Sequence, residues 1–191
     1  MTGTAIAPLL LPVREATHDG ESNFQVSLED DSEFGENFIN QIGSFDGTQA
    51  ELVDEGEYLL DVNADGDWEL TIRQPRAVEG EELPVSISGE GPRIFGAVEF
   101  EGTGVARAEH SGESNFQVSI LPRESRFGEN VINEIGEWKG EQSYSFDEIG
   151  WIDINADGEH RTACFRITDD HEYWSSPELE GDIGEEVTAQ D

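Results

Sequence analysis

His18-Asp19-Gly20-Glu21-Ser22-Asn23-Phe24-Gln25-Val26-Ser27 returns as His110-Ser111-Gly112-Glu113-Ser114-Asn115-Phe116-Gln117-Val118-Ser119, 110 − 18 = 92 residues along the chain. Nine of the ten positions are identical, far beyond chance for mixed composition, so the chain reads as a duplication. Other shared pieces lie outward from this pair. Gly35-Glu36-Asn37 to Gly43 matches Gly128-Glu129-Asn130 to Gly136 as G-E-N-x-I-N-x-I-G, and Asp61-x-Asn63-Ala64-Asp65-Gly66 matches Asp153-x-Asn155-Ala156-Asp157-Gly158. Two copies in 191 residues leave about 75 to 90 each, near the lower limit for a self-sufficient core, a limit that packing of copy on copy would relieve.

The pattern within each copy is that of strands. Phe24, Val26 and Leu28 alternate with Gln25, Ser27 and Glu29, as on a strand with one buried face. Arg14 to His18 precedes it as a strand ending at Asp19-Gly20, and Ala5 to Val13 is a Pro-punctuated edge strand or lead-in. Glu29 to Asn37 is an acidic loop, Phe45-Asp46-Gly47 a turn and Gln49 to Val53 a short strand. Leu60 and Val62 run into Asn63-Ala64-Asp65-Gly66, and Trp68, Leu70 and Ile72 run out, which predicts a bulged hairpin with Gly66 left-handed. No stretch carries sustained helical periodicity. The expected fold is all-β, as two tandem homologous antiparallel β-sandwich domains of jelly-roll type. Their bounds are 1–76 and 85–170, with 77–84 as linker and 171–191 as an acidic tail. The second copy has the longer lead-in, so the first lacks a strand that the second possesses. Beyond Gly158 the copies diverge: the 92-residue shift aligns Trp68, Leu70 and Ile72 with His160, Thr162 and Cys164. Either the second copy holds an extra bulge residue there or both faces of its strand are covered.

Ten basic residues stand against 44 acidic ones, a net charge of −34, and Lys139 is the only lysine. A nucleic-acid mimic would concentrate the acid on one face and a calcium-loaded protein would cluster it in loops. Acid spread through every segment fits best a protein from a cell with molar internal salt, where a Debye length of about 3 Å makes the self-repulsion tolerable. Phosphate binding needs a basic patch, which this chain lacks, so nucleic acid is not an expected partner. A single cysteine, Cys164, allows no intramolecular disulfide. Met1 to Val13 has no leading basic residue and is interrupted by Pro8 and Pro12, so it does not read as a signal peptide, and no apolar run is long enough to span a bilayer. The expectation is a soluble protein, cytoplasmic in a high-salt cell or virion-associated.

The duplicated pattern, H-x-G-E-S-N-F-x-V followed by G-E-N-x-I-N-x-I-G and a closing x-D-x-N-A-D-G, resembles an uncharacterised domain of haloarchaeal proteins and bacterial surface lipoproteins. The first copy carries that domain's ending nearly intact, in Gly56-Glu57-Tyr58-Leu59-Leu60, Ala64-Asp65-Gly66-Asp67-Trp68 and Ile72-Arg73-Gln74-Pro75. The second copy departs from it, with His160 in place of the Trp and no Gln-Pro. The layout is also similar to pre-peptidase C-terminal and other jelly-roll-like accessory modules. The resemblance implies a β-sandwich accessory module and carries over no catalytic residue.

Candidate chemistry is sparse. Asp61, Asn63 and Asp65, and again Asp153, Asn155 and Asp157, match the first half of a Ca²⁺ loop. The twelfth position, where such a loop needs a bidentate Glu, holds Ile72 or Cys164. The preferred reading is a turn, with calcium kept as a candidate ligand and no other cofactor expected. His18 and His110 stand beside Ser22 and Ser114 and two acids, yet a nucleophile and its base seldom come from one tight turn. Caps and packing explain these residues better. Trp138, Trp151, Trp174 and Tyr144 offer either a stacking surface for sugars or core and inter-copy packing. The expectation is therefore a non-catalytic structural or binding module of a halophilic organism or its virus, assembling with a protein partner or with itself, as in a virion turret or decoration. A carbohydrate- or calcium-binding accessory module is the alternative.

Overall fold

A computed structural model describes residues 11–29, 36–54, 56–75, 77–125 and 127–167. The described residues form fifteen strands and no helix. None of them forms a helix long and apolar enough to cross a membrane.

In the first half, β1 (Val13–His18), β4 (Phe45–Ala50) and β6 (Trp68–Arg73) make one antiparallel sheet in the order β4-β1-β6. β2 (Asn23–Glu29), β3 (Glu36–Ile42) and β5 (Leu59–Asn63) make another, β3-β2-β5. Period-two alternation places Ala16 and Phe45 of one sheet, and Phe24, Val26, Leu28 and Ile39 of the other, in one shared core. The bulge that skips Phe38 in the β2–β3 ladder lets that ring join them. Each large side chain fully buried this way stabilises by about 1.5–3 kcal/mol.

The second half repeats this plan and extends it. β10 (Gly102–His110), β13 (Trp138–Phe146) and β15 (Glu159–Ile167) correspond to β1, β4 and β6, while β11 (Asn115–Pro122), β12 (Glu129–Ile135) and β14 (Ile149–Asn155) correspond to β2, β3 and β5. The ladders agree in register: Val26 pairs with Val62 as Val118 pairs with Ile154. His18 pairs with Trp68 as His110 pairs with His160. Even the register shift after Val26 recurs after Val118. The extension comes from β8 (Val85–Glu90), which joins β15, and β9 (Arg93–Glu99), which joins β14. The sheets become β13-β10-β15-β8 and β12-β11-β14-β9-β7. Here β7 (Glu81–Glu82) runs parallel to β9, so the expected linker 77–84 contributes a short edge strand. The strand expected to be missing from the first copy is thus a pair, β8 and β9, with no counterpart among the described residues of the first half.

Several local expectations are corrected. Asn63-Ala64-Asp65-Gly66 is not a hairpin turn, because β5 and β6 lie in different sheets. It carries the chain across the core, as Asn155 to Gly158 does between β14 and β15. Nor is Gly66 among the left-handed glycines. It is needed because a Cβ there would meet Gly20 N at 2.5 Å and Gly20 Cα at 2.7 Å. Phe45-Asp46-Gly47 lies inside β4, and the turn is one step earlier at Gly43, whose φ is 88°. Of the two alternatives for the divergent return strand, the bulge is correct: both ladders of β15 pass from Ala163 to Phe165 and skip Cys164. The lead-in before Leu11 and the 171–191 tail lie outside the described residues.

The halves touch through the other faces of two sheets. Leu11, Ala50 and Trp151 are buried together, with Val13, Ile94, Ala97 and Leu121 packed around them. The backbone of Thr48 donates to Pro92 O at 2.9 Å.

Candidate functional site

The duplicated motif forms the same small machine twice. At the end of β10, His110 is buried and stacks on Phe116, ring centroids 4.6 Å apart and planes 9° from parallel. Its Nδ1 donates to Gly136 O at 2.9 Å, a carbonyl presented by a residue with φ 82°. Its Nε2 lies 3.2 Å from Asp157 Oδ1. The other oxygen, Asp157 Oδ2, accepts the backbone N–H groups of Glu113 at 3.1 Å and Ser114 at 2.9 Å. The first half matches atom for atom. His18 stacks on Phe24 at 4.6 Å and donates from Nδ1 to Gly43 O at 2.9 Å. Its Nε2 faces Asp65 Oδ1 at 3.3 Å, while Asp65 Oδ2 accepts from Glu21 and Ser22.

The geometry explains why the motif holds these residue types. Gly20 and Gly112 must lack a side chain because His and Asp close over them, and Gly158 because a Cβ would meet Gly112 Cα and N at 2.9 Å. The aspartate caps the turn's backbone donors. Desolvation works to raise the pKa of Asp157, but the backbone N–H groups of Ser114, Glu113 and Asp157 itself, with nearby His110, together hold it below the ordinary carboxylate value. Ser22 and Ser114 enter through their backbone N–H.

The six calcium candidates are not brought together. Asp65 and Asp157 are the two turn caps just described. Asp61 and Asn63 lie exposed on β5, opposite Ser27 and Gln25, and Asn155 is exposed opposite Gln117. Asp153 serves the contact between the halves: burial pushes its carboxyl up to about 7 against the pull of Arg14, with Glu51 adding to the rise. Arg14 itself is buried, with its guanidinium carbon 3.9 Å from the Phe38 ring centroid and Nη1 3.7 Å from Glu51 Oε2. Burial lowers its pKa to about 10, which leaves it charged at neutral pH. No three His, Cys, Asp or Glu side chains among the described residues are grouped to hold a metal ion.

The aromatics separate. Tyr144 and Trp151 are buried, Trp151 between the halves; Trp174 lies outside the described residues. Trp138 is half-exposed and lines an open cleft of about 770 Å³ with His110, His160, Glu109, Glu159 and Lys139. Pairing across the sheet aligns Trp138, His110 and His160 in one row. The first half has Phe45, His18 and Trp68 in the equivalent row. Gly140 leaves room for the indole, since a Cβ there would meet the ring at 2.7 Å. Burial lowers the pKa of His160; Arg93 and His110 add to the shift, and the Gly158 carbonyl opposes it. A neutral imidazole, an indole, carboxylates and one ammonium thus share this cleft. Sequence reasoning missed it because the row is assembled across three strands; the only signal was the Trp two residues beyond the second G-E-N-x-I-N-x-I-G. Compared with known proteins, the chain matches no protein-family model and no curated protein sequence.

Proposed function

We propose that the chain is a non-catalytic structural and binding module of a halophilic organism or its virus, built as two tandem homologous β-sandwich domains that assemble with protein partners. Its resemblance to accessory modules of haloarchaeal and bacterial surface proteins fits that role, as does use on a virion surface. One observation carries the reading: in both copies the His and Asp of the most catalytic-looking motif bind backbone groups and stand side by side, Nε2 to Oδ1, at 3.2–3.3 Å, while the Ser joins through its main chain. The test is isolation from its source in molar salt. Recovery at fixed stoichiometry within a larger assembly supports the proposal. Hydrolytic turnover of ester or glycoside substrates that is abolished by His110→Ala but retains the fold would overturn it.

The cleft at Trp138 favours a second reading, a carbohydrate-binding module. An indole beside carboxylates and a neutral imidazole offers a sugar both a stacking face and hydrogen-bond partners. Quenching of tryptophan fluorescence by oligosaccharides, lost in Trp138→Ala, supports it; an unchanged titration in the variant removes it.

A further inference from the structure

Equivalent positions of the two halves differ sharply in exposure. Leu60 on β5 is 39% exposed, whereas Ile152, its equivalent on β14, is 0% exposed. Trp68 on β6 is 47% exposed and its equivalent His160 only 2%; Ile72 on β6 is 40% exposed. Leu70, between Trp68 and Ile72, packs against the core, so by alternation all three point toward the space between the sheets. In the second half that space is closed by β8 and β9, which bring Val85, Ile87 and Val98 into the core. In the first half β5 and β6 are edge strands among the described residues. An apolar flank bounded by two unpaired strand edges is a template for strand addition.

We propose that the occupant is a second copy of this chain, joined across a two-fold axis normal to the sheets, with β6 pairing antiparallel to the partner's β6. Charge complementarity selects this arrangement and its register. With Thr71 facing Thr71 of the partner subunit, Glu69 lies opposite Arg73 of the partner subunit, and Arg73 opposite Glu69 of the partner subunit. On the inner face Leu70 meets Ile72 of the partner subunit, and the reverse. Both charge pairs are therefore of opposite sign, in a chain where acidic residues outnumber basic ones 44 to 10. Opposite charges directly across an antiparallel ladder attract, and like charges repel. Arg73 already reaches Glu15 of the neighbouring strand at 3.3 Å while more than half exposed, so it can bridge both carboxylates. The same axis brings the two β5 edges together, turning two three-stranded sheets into two six-stranded ones around a common core. This contact gives the assembly proposed above one named partner.

Sedimentation of the full chain in roughly 1 M salt, where the acidic surface is screened, tests the contact. The expected species is a dimer. Glu69→Arg alone and Arg73→Glu alone should each weaken it by roughly tenfold, and the two together should restore it, because each new Arg then faces a new Glu. Ile72→Asp should give a monomer whose circular dichroism is unchanged. A monomeric wild type with solvent-shielded Trp68, as when a terminal segment covers the flank, overturns the proposal. So does a dimer indifferent to Ile72→Asp, or a charge swap that fails to restore pairing. A monomer that still co-purifies in a larger assembly overturns the two-fold contact and leaves the assembly reading standing.

Discussion

Asp157 sets one carboxylate oxygen 3.2 Å from His110 Nε2 and accepts the Ser114 N–H at 2.9 Å with the other. One side chain thus ties the segment linking β14 and β15, which lie in different sheets, to the turn that starts β11. Asp65 repeats the arrangement. Asp157→Ala should cost about 1–2 kcal/mol, the usual loss on removing a capping carboxylate from backbone donors. Asp157→Asn, which keeps one acceptor oxygen, should lose less. Thermal melts in molar salt measure both; equal stability of Asp157→Ala and wild type would remove the capping role.

Gly158→Ala places a methyl against Gly112 Cα and N at 2.9 Å. Both contacts are backbone, so neither can swing aside. A loss of about 1–3 kcal/mol is expected, the range for forced overpacking. Denaturant titration decides it, and an unchanged midpoint would mean that the two chain segments separate freely.

Asp153 gives the contact between the halves a pH dependence. Its folded pKa of about 7 lies above the ordinary 3.8, so the folded chain binds this proton more tightly than the unfolded chain. The resulting stability is complete below about pH 4 and is lost as pH rises through about 7. Asp153→Asn should flatten that decline. Melting temperature followed from about pH 5 to 8 reads it; parallel profiles for wild type and variant would refute the assignment.

His160 acts in the opposite sense. Its pKa is lowered in the folded chain, so its contribution is present above about 6.5, the unfolded value, and is lost as pH falls through the folded one. His160→Gln should weaken the acid sensitivity of the second half. NMR titration of the His160 ring resonances checks it directly; protonation at or above the ordinary value would contradict the direction.

The net charge of −34 predicts loss of the folded state when salt falls from molar to roughly 0.1 M, as the Debye length grows from about 3 to 10 Å and the carboxylates repel. A cooperative melt at the same temperature in both conditions would defeat the halophilic reading.

By itself the sequence determined the all-β class, the duplication and most strands, because alternation and turn residues are local signals. Phe24-Val26-Leu28 could face only one way once one sheet face was buried. It also determined the acidic, lysine-poor surface. Only the tertiary structure decided where the strands went. Asn63 to Gly66 has the composition of a hairpin turn whether the next strand pairs with the last or crosses to the other sheet, and the choice lies in whether β1 or β5 accepts Trp68 to Arg73. The bulge at Cys164 was one of two alternatives until the ladders of β10 and β8 were laid beside it. The Trp138-His110-His160 row, the electrostatic coupling of Arg14 to Asp153 and the open flank at Trp68 join residues far apart in the chain. A strand's own sequence sets which residues share a face, but its neighbours set what that face meets.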